Sequence, residues 1–264
     1  MGIERIYRGD LANPEGRTTH EPAWQCRQRA LAHPRGGRGM VEPPGATGPT
    51  GDWEKLYASS DVATLPWYNP DLDTDIERAL KAHRLSSRRL LDLGTGPATQ
   101  AMNLAKRGFD VVATDISGSA IKKAKASAKE AGLSITFLVD NVLHSRLAAN
   151  LVDVIVDRGV FHVLPKDKRP VYVRTVHRVL RPNGWLFLKC FSNKEPGTWG
   201  PHRIAEPELL GYFRRMFEIL SVVETVFQGN VKPSPKALFA TFRRQEVAPA
   251  GRGQKRARKR STRS

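Results

Sequence analysis

Two carboxylates bracket a glycine turn in this chain: Asp92 stands two residues before Gly94, and Asp115 follows Gly96 by nineteen. Gly94 and Gly96 leave the turn without side chains, so a ligand can approach the backbone at the start of the next helix. An acid about 20 positions beyond such a turn reaches a ribose hydroxyl pair, which makes an adenosine-bearing molecule the first ligand to consider. A dinucleotide site prefers a third glycine for close helix–strand packing, but Thr99 holds that position, after Pro97 and Ala98. Asp92 would confront a cationic group better than a pyrophosphate. The pattern therefore tilts from a dinucleotide towards S-adenosyl-L-methionine, whose amino and sulfonium groups are positive.

A second reactive cluster, DRGVFH at Asp157–His162, follows an almost continuously apolar run over 152–156. Ligands of open α/β sheets bind outside the carboxyl ends of the strands, so Asp157, Arg158, Phe161 and His162 belong beside the reacting group. His162 offers either a general base, since imidazole titrates near neutrality, or a ring packed under the cofactor. Arg158 suits either an anionic substrate or a neighbouring acid. Two further segments supply substrate candidates: Trp67, with Tyr68, in LPWYNP, and Trp199, His202 and Arg203 in the long loop 192–205.

The elements that must position these residues alternate in type. Leu90, Leu91 and Leu93 make a buried strand, and Ala101, Leu104 and Ala105 give a helix closing at Gly108 before a strand that ends at Asp115. A helix over 117–132 with Ser117 as cap, a strand over 135–139, the strand 152–156 and a helix over 167–180 follow. The turn 181–184 leads into strand 185–191; then come a helix over 207–216 and strands 217–227 and 236–242 joined as an antiparallel hairpin. Before all of these, 53–57 and 71–83 have helical spacing and form a candidate lid. The expected fold is α/β, doubly wound: a seven-stranded, mostly parallel sheet with an antiparallel terminal hairpin.

DLGTG at Asp92–Gly96 with Asp115 downstream resembles the cofactor motif of class I S-adenosylmethionine-dependent methyltransferases, and the resemblance covers about 52–244. It implies S-adenosyl-L-methionine as cofactor, held by Asp92, Gly94, Thr95, Gly96, Asp115, Ile116, Asp140, Asn141 and Asp157, with Asp140 at the adenine amino group. DRGVFH resembles the small-molecule branch that includes the thiopurine and tellurite-resistance types, not the Asn/Asp-Pro-Pro-Tyr/Phe motif of amide and exocyclic-amine methyltransferases. The implied reaction is methyl transfer to a thiol, chalcogen or hydroxyl of a small acceptor, with His162, Asp157 and Arg158 as catalytic candidates and Trp67, Phe161, Trp199, His202 and Arg203 as substrate candidates. Two cysteines argue against arsenic methylation, and no metal site is expected.

The chain has 264 residues, a formal charge of +17 and 40% apolar content, enough for one sizeable core. Much of the charge is local: residues 249–264 hold seven Arg or Lys and no acid. That tail reads as unfolded, and as a weak phosphate tether or a solvated tail. Residues 1–50 are rich in Pro, Gly and Arg and read as a disordered extension, with Met40 an alternative start. The expected division is therefore 1–50, a catalytic domain over 51–247, and 248–264. With Cys26 and Cys190 too few for a disulfide framework and no apolar signal core or span, a cytoplasmic protein is expected. Two alternatives to small-molecule transfer are an RNA or other macromolecular acceptor tethered by the tail, and an inactive adenosyl-binding scaffold.

Overall fold

Alternation along the buried strands explains why helices cover both faces of the sheet. The computed structural model describes residues 52–245; the extension 1–50 and the tail 248–264 lie outside them. In β1 (Arg89–Leu93), Leu91 and Leu93 join one core cluster and Leu90 the other, and in β4 (Val152–Arg158) Ile155 and Val154 separate in the same way. Successive strand side chains point to opposite faces. One cluster is closed by α5 (Arg169–Val179) and α6 (Glu206–Phe213) through Val173, Val176, Leu209 and Phe213. The other is closed by α2 (Thr74–Ala82), α3 (Thr99–Lys106) and α4 (Gly118–Glu130) through Ile76, Leu80, Leu104 and Ile121.

The remaining strands are β2 (Asp110–Asp115), β3 (Thr136–Val139), β5 (Leu180–Phe191), β6 (Phe217–Val226) and β7 (Lys236–Arg244). Their order is β3-β2-β1-β4-β5-β7-β6, with β7 antiparallel to both neighbours. The seven-stranded sheet with its terminal hairpin is thus as expected. The order reverses between β1 and β4, the crevice where open α/β sheets bind ligands. One boundary differs. The turn expected over 181–184 lies inside β5, where pairing to β4 jumps from Val152–Leu180 to Val154–Trp185 and Asn183 takes φ +60°. The intervening residues are a bulge, because Leu180 and Trp185 both satisfy the same neighbouring strand.

An ion cluster sits among these apolar surfaces. Lys189, near the carboxyl end of β5, places Nζ 2.8 Å from both Asp73 oxygens and 2.8 Å from Asp75 Oδ2, and all three residues are buried. Arg158 Nε lies 2.9 Å from Asp73 Oδ2, and Thr225 donates to Asp75 Oδ2 at 2.7 Å. Asp73 also caps α2 by accepting from the Asp75 N–H at 3.1 Å. The start of α2 is therefore fastened to β4 and β5 by ion pairs and to β6 by a hydrogen bond.

Removing one member of a buried ion cluster leaves its partners uncompensated. Lys189→Met is expected to lower stability by about 3–5 kcal/mol in urea unfolding, and adding Asp75→Asn to recover part of it. Parent-like stability in the single variant would show that the cluster holds nothing together.

Candidate functional site

A cavity of about 320 Å³ opens at the carboxyl ends of β1, β2, β3 and β4. At its floor, Gly94 has φ +68°, and a Cβ there would lie 2.1 Å from Val160 Cγ2. Gly96 has φ +48°, and a Cβ would lie 2.5 Å from the Tyr57 hydroxyl. Both positions thus need glycine for conformation and for space. The Gly96 N–H donates to Asp115 Oδ2 at 2.9 Å, and the Ser117 N–H donates to Asp115 Oδ1 at 2.9 Å. Asp115 lines the cavity, and burial raises its carboxyl above the usual range.

Asp92 does not meet the cavity as expected. Its carboxylate lies beneath the turn, buried, accepts from Thr95 Oγ1 at 2.6 Å, and is pushed up to about 6 by that burial. Thr95 is likewise occupied: its N–H donates to the Thr114 carbonyl at 2.8 Å. The pair braces the glycine turn from below, since a buried turn must satisfy its polar groups internally.

The other wall does carry free acceptors. Asp140 lines the cavity; Oδ1 accepts from the Arg146 N–H at 3.2 Å, while Oδ2 is buried with no hydrogen-bond partner. Thr114 Oγ1, also in the lining residues, is buried and unpartnered too. Asn141 borders the cavity and uses Oδ1 to cap the short turn Val142–His144, accepting from the Leu143 N–H at 2.9 Å. Ile116 stands beside them at 53% exposure, an apolar ledge for a flat ring.

At the end of β4 the acid turns inward. Asp157 accepts from the N–H groups of Gly159 (2.9 Å), Val160 (2.6 Å) and Phe161 (3.0 Å) and from the Tyr172 hydroxyl (2.5 Å). Fully buried, and pushed up to about 6 by that burial, it shapes the corner and is not among the cavity-lining residues, which corrects its candidacy as a catalytic or cofactor group. Arg158 lines the cavity but is spoken for: besides Asp73, its guanidinium donates to the Trp67 carbonyl at 3.0 Å and to the Gln228 carbonyl. It pairs with an acid rather than waiting for an anionic substrate. Phe161 is fully buried in the core against Tyr172, Tyr212 and Phe213, so its substrate role is also corrected.

His162 lines the cavity, yet its Nδ1 accepts from the Phe191 N–H at 2.9 Å. Burial, with Arg169, His202 and Arg158 adding positive charge nearby, pushes the imidazole down to about 3. A neutral ring whose one lone pair is already engaged has none left to take a proton, so the general-base expectation fails on geometry.

From the loop after β5, only Trp199 of the three candidates reaches the cavity, edge-on to Phe191 with ring centroids 5.7 Å apart. The His202 N–H donates to the His162 carbonyl at 3.1 Å, and Arg203 donates to the carbonyls of Glu195 (2.9 Å) and Pro196 (3.0 Å). Arg203 thus folds the loop onto itself, and His202 ties it to the corner after β4. Trp67 lines the cavity and donates from Nε1 to the Tyr57 hydroxyl at 3.3 Å. Sequence reasoning passed over Tyr57, Phe191, Phe227 and Gln228, all in the lining. It also passed over Glu54, which fastens α1 (Trp53–Ser59) to the start of α4 by accepting from Ser117 Oγ (2.7 Å) and from Ser119 N (3.1 Å) and Oγ (2.5 Å). These bonds hold the Glu54 carboxyl down at about 2.

Residues 90–184 match the family model described as a methyltransferase domain. Over these residues the chain carries a methyltransferase domain. It is similar to the 2-heptyl-1-hydroxyquinolin-4(1H)-one methyltransferase of Mycobacteroides abscessus, 33% identical over 151 residues that cover 56% of this chain and 66% of the relative. The tRNA 5-carboxymethoxyuridine methyltransferase of Escherichia coli K12 is 31% identical over 121 residues, 45% of this chain and 46% of the relative. The aligned stretches thus span just under two thirds and about half of these relatives. Among solved structures, the fold matches the Burkholderia thailandensis 1,6-didemethyltoxoflavin-N1-methyltransferase, bound to its substrate and S-adenosylhomocysteine, with TM-score 0.55 and 22% identity over 65% of this chain and 80% of that one.

The cofactor of this methyltransferase domain is S-adenosyl-L-methionine, and the residues present fit it. The glycine turn provides close approach, Asp115 and the unpartnered Asp140 Oδ2 and Thr114 Oγ1 provide acceptors, and Ile116 provides an apolar face. An unpaired buried acceptor gains most from a donor ligand. Asp140→Ala is expected to weaken S-adenosylhomocysteine about ten- to a hundredfold by calorimetry; unchanged affinity would remove Asp140 from the adenine end.

Proposed function

We propose that this domain methylates a small, largely apolar acceptor whose oxygen, sulfur or other chalcogen atom is ionised before it reacts. S-adenosyl-L-methionine supplies a methyl group already activated on a sulfonium. The protein's task is then to align the acceptor and exclude water, and positioning of this kind is worth about 7–11 kcal/mol of barrier.

The observation that carries the reading is the composition of the acceptor end. Trp67, Val163, Leu164, Phe191, Trp199 and Phe227 line it, with Arg158, His162 and Gln228 among their polar neighbours. Arg158 and His162 Nδ1 are engaged as described, and Gln228 exchanges hydrogen bonds with Thr74 through Oε1 (3.0 Å) and Nε2 (3.1 Å). None of these three described side chains has a free basic lone pair, so an aliphatic alcohol would keep its proton and react poorly. The Mycobacteroides relative is named for a heptyl-substituted hydroxyquinolone, an acceptor with an apolar body and a hydroxyl on the ring.

A macromolecular acceptor is the competing reading, favoured by the tRNA-modifying relative and by the basic tail. Against it, Arg158 is the only Lys or Arg among the cavity-lining residues, and backbone phosphates need several. A labelled-methyl panel of thiols, hydrogen selenide, hydroxylated heterocycles, alkyl alcohols and bulk tRNA separates these. Transfer to the acidic small acceptors alone is expected. Transfer to alkyl alcohols would overturn the preionised acceptor, transfer to tRNA that is lost on deleting 249–264 would establish the tether, and failure to bind S-adenosylhomocysteine would overturn the whole reading.

A further inference from the structure

We propose that His162 is a fixed hydrogen-bond donor that selects the ionised form of the acceptor, acting through Nε2–H across Gly159. The inference rests on the methyl-transfer reading above and adds a specificity-determining residue to it.

The ring's orientation is over-determined. Nδ1 accepts from the Phe191 N–H at 2.9 Å; the imidazole stacks on Phe227 with centroids 5.3 Å apart at 29° and meets the Phe191 ring edge-on at 5.1 Å and 89°. An Nδ1 that accepts carries no proton, so a neutral ring bears its single hydrogen on Nε2. The groups around it keep it neutral: Arg158 from β4, Arg169 from α5 and His202 from the loop after β5 are cationic or basic, and the ring itself is buried. Among the described residues, no acceptor is paired with Nε2.

Gly159 explains where that donor is aimed. Both Gly159 and His162 line the cavity, and a Cβ at position 159, where φ is +114°, would lie 3.0 Å from Nε2. Glycine therefore keeps open the space next to the N–H. Around it, Phe191, Phe227 and Trp199 exclude water, and a hydrogen bond from a buried donor to an anion is among the stronger ones a protein makes. In the transfer, the acceptor's anionic atom forms the bond to the methyl carbon, the carbon–sulfur bond breaks with its electron pair on sulfur, and no proton moves. The donor interaction is strongest with the anion and weaker with the methylated product. Its effect therefore falls on acceptor binding and on the ionisation of bound acceptor more than on the chemical step.

A matched pair of substitutions separates this from mere packing. Asn places an oxygen where Nδ1 stands and keeps the Phe191 bond, but lacks the distal donor; Gln supplies a donor near Nε2 and gives up that bond. With ring-substituted thiophenols of graded acidity as probes, His162→Asn is expected to raise the acceptor KM about ten- to a hundredfold with a smaller change in kcat, and His162→Gln to restore most of the affinity. In the parent, the acid limb of the kcat profile should track the acidity of the thiophenol and lie below the free thiol's own ionisation; in His162→Asn it should move up. Nitrogen NMR of the parent should find the proton on Nε2. An Nδ1–H tautomer, an unchanged KM in His162→Asn, or an acid limb that ignores the thiophenol would each overturn the proposal. Calorimetry with S-adenosylhomocysteine on the parent and both variants should show similar affinities; a parent that binds none would instead sink the underlying methyl-transfer reading.

Discussion

The carboxylate of Asp73, held between Lys189 and Arg158, is the interaction on which the acceptor half of the cavity depends. Asp73 begins α2, Lys189 belongs to β5 and Arg158 ends β4, so one buried anion ties the segment before the first strand to the centre of the sheet. Arg158 extends the tie by donating to the carbonyls of Trp67 and Gln228, two segments that pack side by side along one flank of the cavity. Two acids and two bases balance in a region that excludes water. Such a cluster adds little net stability compared with apolar packing, but it fixes which surfaces meet and in what register.

The acids at the strand ends divide by direction. Asp92 and Asp157 point into the protein and serve backbone N–H and hydroxyl donors, whereas Asp115 and Asp140 face the cavity. A tight turn over a strand end presents several N–H groups that water cannot reach, and a carboxylate satisfies more of them than any neutral side chain. The same economy applies to His162: the Phe191 N–H, at the last residue of β5, takes the lone pair that a general base would need. Catalytic-looking residues at this edge are largely those that hold the edge in shape.

The sheet was legible because strands and helices are periodic. Each element from β1 onward falls within a few residues of its predicted place, and the bulge at 181–184 was missed only as a matter of continuity, since a turn and a bulge use the same Asn-Gly chemistry. The cofactor end was legible for a related reason: its residues lie in one stretch, and their spacing follows from the strand–turn–helix unit. The acceptor end was not. Trp67, His162, Phe191, Trp199 and Phe227 come from five separate segments, and adjacency in sequence misled where it was used: Phe161 beside His162 points to the core, and His202 and Arg203 beside the cavity-lining Pro201 do not line it. Lys189 was a further overlooked signal, a lone cation in the apolar run 185–191 that a buried counter-charge had to answer.

The two flanks of the cavity are fastened by different physics. On the Asp73 side, no ion can leave without stranding another, so Trp67 and the Gln228 segment stand as a stiff wall. On the other side, α1 is a seven-residue helix held by Tyr57 and by the exposed Glu54 carboxylate at the start of α4, bonds that water can replace one at a time. The α1 flank is therefore held by bonds that water can exchange, and the flank that shapes the acceptor end by charges that it cannot.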